Sequence, residues 1–138
     1  ISEVTTYKQP YFTHYANSNI TSIYVQKWEG NKSLRLTMTY FGSSWIFFEN
    51  AVLHYDGNTK KIEFDKYKQK RTDVVNGGVW ESIDVSISNN PDMISFLRKF
   101  AKSKDAKQRL VGKYSQTRNL DEDEKKGIID ILNAYESL

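Results

Sequence analysis

There is no cysteine anywhere in this chain. Disulfides, thiolate nucleophiles, iron–sulfur clusters and cysteine-ligated zinc are thereby excluded, and the core must hold without a covalent staple. The compartment is left open, because cysteine-free domains suit the cytosol, the cell surface and the periplasm alike. Histidine is nearly as scarce, with only His14 and His54. Neither belongs to a recognisable nucleophile arrangement, since there is no thiol and no serine in an elbow setting, and His54 reads as an ordinary strand histidine. No run approaches the roughly 18 apolar residues of a membrane span. Excess charge is small too: a formal net charge of +3 and a pI near 9.0 are too modest to imply wholesale phosphate binding.

Aromatic side chains, by contrast, are plentiful. Nine tyrosines and three tryptophans exceed what a core of this size requires, and such residues are favoured interface anchors. At 138 residues the chain has the length of one ordinary domain. Residues 1–19 read as an N-terminal aromatic arm, broken by Pro10 and carrying Tyr7, Tyr11, Phe12 and Tyr15, and residues 20–138 as a single domain. The chain begins at Ile1 with a polar stretch, which fits a processed chain whose signal peptide or anchor lies upstream, although a trimmed chain reads identically.

Leu34, Leu36, Met38 and Tyr40 alternate with Arg35, Thr37 and Thr39, the cleanest period-two pattern present. Trp45–Phe48 is apolar on both faces and is expected to form a central strand covered on each side. Asp56-Gly57-Asn58 is a strong hairpin signal with a return strand over 60–64, and 66–73 reads as a loop or solvated edge. A further strand is expected over 80–87 and another over 107–114. Asn90 before Pro91 caps a helix of about 91–103, and Asp121 with Glu124 forms a capping box for a second helix of about 122–136. The expected fold is α+β: a mostly antiparallel sheet of about six or seven strands with two packed helices.

Sites are less plain. Residues 98–113 hold seven basic side chains, among them Lys104, Lys107 and Arg109, against Asp105 alone. With Tyr114 able to stack, this stripe suits an anionic polymer or, less well, a nucleic acid. Tyr11, Tyr15 and Trp28 are the aromatic binding candidates. Carboxylate chemistry would need Glu81 with Asp84, or Glu49 with Asp73, in one pocket. Asp84 falls on a polar strand face, whereas Glu81 shares a face with Ile83 and Val85, so it is expected at the sheet's rim or in an ion pair with Arg71 or Arg109. The Asp121–Glu124 run lacks the spaced ligands of a calcium loop and is read as helix capping. No metal site and no cofactor is implied.

From Tyr40 onward the chain resembles a small bacterial domain found in exported proteins and lipoproteins. The resemblance rests on Phe41-Gly42-Ser43-Ser44-Trp45-Ile46-Phe47, the Asp56-Gly57 turn, Arg71, Gly77-Gly78, Trp80-Glu81, Ser103, Arg109, Gly112 and Ile131-Leu132-Asn133-Ala134-Tyr135. It implies export, to the cell surface or periplasm, and a non-enzymatic accessory role. It also makes Arg71, Glu81, Arg109 and Tyr114 the polar cluster to examine. The expected function is therefore a binding or accessory domain that recognises a protein or an anionic surface polymer, with membrane contact only through an upstream anchor. The alternatives are a carboxylate-dependent hydrolase or lyase, and a nucleic-acid-binding domain acting through the 98–113 stripe.

Overall fold

The computed structural model describes residues 4–8 and 18–138. Among them the chain forms β1 (Thr5–Lys8), β2 (Ile20–Trp28), β3 (Asn31–Gly42), β4 (Asn50–Tyr55), β5 (Asn58–Ile62), β6 (Lys70–Val75), β7 (Gly78–Ser86), α1 (Pro91–Lys102), β8 (Lys107–Val111), β9 (Ser115–Asn119) and α2 (Glu122–Ser137). The strands divide into a five-stranded sheet, β1-β2-β3-β7-β6, and a four-stranded sheet, β5-β4-β8-β9. Every pairing is antiparallel. The α+β class is as expected, but among the described residues the strands number nine and form two sheets.

Alternation sets which side chains go inward. Ile23 and Val25 of β2, Leu34, Leu36 and Met38 of β3, and Ile83 and Val85 of β7 are all buried on one face of the larger sheet. Ala51, Leu53, Ile62 and Leu110 do the same for the smaller sheet. α2 rests on β2, and α1 packs against α2 and β4. Met93, Leu97, Phe100 and Ala101 of α1 and Ile128, Ile131 and Leu132 of α2 complete one continuous core, drawn from both sheets and both helices.

Local chemistry fixes the element ends. Asp56 and Gly57 have φ of 45° and 79°, and Glu29 and Gly30 have 42° and 78°. Positive φ at both central residues defines the turn whose twist matches the flanking strands, and these turns close β4 onto β5 and β2 onto β3. Asn90 accepts from Met93 N–H at 3.1 Å. Asp121 accepts from Glu124 N–H at 2.8 Å while Glu124 accepts from Asp121 N–H at 3.1 Å, so the capping box is complete.

Two expectations need correction. Trp45–Glu49 is not a strand, although Ile46 and Phe48 are buried. Its consecutive N–H groups point at a side chain rather than at a strand ladder, as described below. The segment expected as one strand over 107–114 stops at Val111, turns through Gly112–Tyr114 and returns as β9. β9 has no apolar residue and so no pattern to announce it: it is an edge strand whose alternate positions, Gln116 and Arg118, hydrogen-bond inward. The aromatic arm also contains structure, since Thr5–Lys8 pairs with β2 as an edge strand. Tyr11, Phe12, His14 and Tyr15 lie outside the described residues.

Candidate functional site

An open cleft of about 470 Å³ lies on the outward face of the five-stranded sheet. The period of two that sends Ile23, Leu36 and Ile83 inward sends Tyr24, Gln26, Arg35, Thr37, Trp80, Ser82 and Asp84 outward into it. β6 adds Arg71, opposite Ser82, the turn before it adds Lys68 and Gln69, and β1 adds Thr6.

Register assembles the centre of this cleft. Tyr24 stands opposite Arg35, and Thr37 opposite Asp84, so Asp84 lies diagonally across from Arg35. Arg35 Nε donates to Asp84 Oδ1 at 2.6 Å and Nη2 to the Asp84 carbonyl at 3.4 Å, while the Tyr24 hydroxyl donates to Asp84 Oδ2. Partial burial, then the hydrogen bond to Asp84 and its negative charge, push the Tyr24 phenol up to about 12 against the opposing pull of Arg35. It therefore stays protonated and donates throughout the neutral range. Burial disfavours the Arg35 charge, but Asp84 outweighs it and raises the guanidinium pKa. Arg71 and Lys68 differ: among the described residues neither side chain has a hydrogen-bonding or ion-pair partner. The remaining acid of this face, Asp73, accepts from Val74 N–H.

Glu81 faces the other way and is fully buried. Neither Arg71 nor Arg109 pairs with it, as the sequence reading expected, because Arg71 points outward from β6 and its neighbour Lys70 points inward. Lys70 Nζ donates to Glu81 Oε1 at 2.8 Å and to the Phe48 carbonyl at 2.7 Å. Ile46 and Phe47 N–H donate to Oε2 at 2.7 and 3.0 Å, and Phe48 N–H to Oε1 at 3.0 Å. Burial alone would raise this carboxyl group's pKa, but Lys70 and the backbone donors overcome it and hold the pKa below the usual carboxylate value. The grip holds Phe47 at φ 55°, in the left-handed region, with its ring half exposed.

The basic stripe is divided among different elements. Arg98 is tied to Asn133 and Glu136 of α2, at 2.9 and 2.6 Å. Lys99 borders a shallower depression of about 320 Å³ with Tyr55, Lys60, Asp92 and Phe96. Lys107 and Arg109 project from the outward face of the smaller sheet, opposite His54 and Val52, and Lys104 is exposed in the preceding loop. Tyr114 is 57% exposed at the β8–β9 turn, with Lys113 Nζ 5.7 Å from its ring centre. Trp28, at the end of β2, is half-buried and does not line the cleft.

The carboxylate pairs do not assemble. Glu81 and Asp84 occupy opposite faces of β7, Glu49 bonds Lys66 at 3.0 Å, and Asp73 caps Val74. Each of the two depressions contains a single carboxylate, Asp84 or Asp92. His54 Nδ1 meets Thr59 Oγ1 at 3.1 Å rather than Asp56. Asp56 instead meets Asp105, whose carboxylate accepts from Asp56 N–H at 3.1 and 3.3 Å. The hydrogen bond between the two carboxyl groups and the charge of Asp105 raise the Asp56 pKa. Among the described residues no three metal-ligating side chains come together, and no helix is long and apolar enough to cross a membrane.

Sequence reasoning placed Arg35 and Asp84 on polar strand faces without recognising a site there, and it passed over Lys68. The usable signal was that two amphipathic strands each carried a charge of opposite sign on the polar face, but only the register reveals that they meet. Comparison with protein-family models, curated proteins and solved structures finds no match. The cleft therefore has to be interpreted from its own chemistry.

Proposed function

We propose that this chain is a non-enzymatic binding domain, an accessory part of an exported bacterial protein, that recognises an anionic surface polymer through the cleft of the five-stranded sheet. The observation that carries this reading is the pairing state of the cleft's charges. Arg35 and Asp84 neutralise each other, while Arg71 and Lys68 beside them have no side-chain partner among the described residues, giving a local excess of positive charge. Tyr24 and Arg35 each hydrogen-bond Asp84, so the donors and acceptors of this triad are in place before any ligand arrives. The single carboxylate in the lining and the separation of Glu81 from Asp84 support binding rather than hydrolysis. Export rests on the resemblance of residues 40–138 to the bacterial domain described above.

The test is retention of the full chain on immobilised acidic polymers across a salt gradient, comparing the parent with the double variant Arg71→Gln, Lys68→Gln. The parent is expected to be retained at low salt and eluted by added salt, with the variant eluting earlier. Equal retention of parent and variant on every polymer would remove the cleft from the function. A triple variant at Lys104, Lys107 and Arg109 reports on the other sheet, and a loss confined to that variant would move the site there.

A further inference from the structure

Resting on that reading of the cleft, we infer that the unit it takes is an acidic sugar: a pyranose ring carrying a carboxylate, seated with the carboxylate on Arg71 and the ring against Trp80. Three features of the site select this chemistry over other anions.

The first is charge. Among the described residues the cleft is lined by the cations Arg35, Arg71 and Lys68 and by one carboxylate, Asp84, to which Arg35 is committed, while Asp73, opposite Trp80 on the same face, accepts from Val74 N–H. A guanidinium presents parallel N–H donors that match the two oxygens of a planar carboxylate, whereas a lysine acts as a point charge. Arg71 is exposed on β6 and has no partner among the described residues to give up in forming such a fork, and Lys68 adds attraction from the preceding turn.

The second is the balance of donors and acceptors. A sugar offers several hydroxyl groups, each of which both donates and accepts. The Asp84 carboxylate has about four lone-pair sites and uses one oxygen for Arg35 and the other for Tyr24, which leaves acceptor capacity on each. Gln26 offers an amide that can donate and accept. Hydroxyl recognition needs such bifunctional groups, while an acidic peptide docking as a strand would need a free sheet edge and side-chain pockets. This cleft lies on a sheet face rather than along an edge.

The third is Trp80, an aromatic residue that lines the cleft among polar side chains and Tyr24. The C–H groups on one side of a pyranose make a small apolar surface, which loses contact with water when it covers an indole. A sulfate or phosphate group alone has no comparable surface. The volume of about 470 Å³ lies within the range of small-ligand sites.

The experiment is a titration of the full chain, followed by heteronuclear NMR and calorimetry, with four probes of similar length: oligogalacturonate, the same oligomer with its carboxyls reduced to alcohols, a sulfated oligosaccharide and poly-glutamate. The expected result is saturable binding of oligogalacturonate with shifts at Tyr24, Arg71, Trp80 and Asp84. Binding should be lost with the reduced oligomer, which alters no residue of the protein. Arg71→Gln should weaken it about tenfold or more, as for the loss of one charge-assisted pair. Trp80→Ala should weaken oligogalacturonate and leave any poly-glutamate binding unchanged. Arg71-dependent binding of the sulfated probe or poly-glutamate in preference to oligogalacturonate would overturn the acidic-sugar assignment while leaving the cleft as a binding site. Absence of any Arg71-dependent binding among the four would overturn both.

Discussion

Removing the Glu81 carboxylate should destabilise the fold more than removing any exposed charge. The side chain is 1% exposed and accepts from the N–H groups of Ile46, Phe47 and Phe48 and from Lys70, whose own side chain is 12% exposed. In Glu81→Ala the three N–H groups and the ammonium lose their acceptor together. A simple sum over four donors would overstate the cost, because Phe47 is half exposed and its N–H can recover water once the segment relaxes. The relevant comparison is the loss of one partner from a buried ion pair, which costs about 3–5 kcal/mol. With a urea m-value of about 1.5 kcal/mol/M, the unfolding midpoint should fall by about 2–3 M. Urea titration followed by tryptophan fluorescence reads this directly. Lys70→Met is the companion: it removes the other partner of the same buried pair but leaves the carboxylate its three backbone donors, so its cost should fall below that of Glu81→Ala. A Glu81→Ala midpoint within about 0.5 M of the parent at unchanged m would refute the claim that this carboxylate organises the segment.

The same group makes stability depend on pH with a definite sign. The pKa of Glu81 in the folded protein lies below its ordinary value of 4.5. Its stabilisation is therefore complete above that value and is lost as pH falls through the folded-state pKa, where the native carboxylate takes up its proton. The parent should lose stability in that acid window by more than Glu81→Ala does, and parallel pH profiles for the two proteins would contradict the assignment.

Other expectations follow from single contacts. A Cβ at Gly112 would overlap the Phe47 carbonyl and lie 2.6 Å from the Ile46 oxygen, so Gly112→Ala should cost about 1–3 kcal/mol. Gly57 meets only open space but has φ 79°, so Gly57→Ala should cost about 1–2 kcal/mol from conformation alone, and its thermal midpoint separates the two causes. Asp121→Ala breaks the capping box of α2 and should cost about 1 kcal/mol by denaturant titration, with Asp121→Asn recovering most of it. The Tyr24 phenol, at about 12, should be a late-titrating tyrosine in the ring-carbon NMR spectrum, and Asp84→Asn should move it back towards 10.0. Since the folded-state value is raised, this contact stabilises the fold below about 10 and is lost as pH rises through about 12.

What could be read from the sequence was whatever depends on near neighbours. Asn90 and Asp121 cap helices because their partners lie three residues on, and Asp56-Gly57 turns because positive φ at two successive positions is a local property. The inward faces of β3 and β7 were legible for the same reason, since alternation belongs to each strand by itself. Trp45–Phe48 misled because hydrophobicity reports burial and not the identity of the hydrogen-bond acceptor. Burial was expected and occurs at Ile46 and Phe48, but the acceptor is a carboxylate more than thirty residues away in sequence. β9 escaped notice because an edge strand whose alternate polar side chains bond inward needs no apolar residue.

The cleft escaped for a more general reason. A strand with one apolar and one polar face looks the same in sequence whether its polar face meets water or a ligand. Arg35, Asp84 and Arg71 each read as an ordinary solvated charge on its own strand. Register separates them: Asp84 comes within 2.6 Å of Arg35 and cancels it, whereas Arg71 comes opposite Ser82 and remains uncancelled. An exposed side chain with no partner among the described residues contributes little to stability, so Arg71→Gln should leave the unfolding midpoint almost unchanged while weakening ligand binding. That separation of stability from binding distinguishes a recognition residue from a structural one, and Glu81, whose loss should do the reverse, provides the contrast within the same sheet.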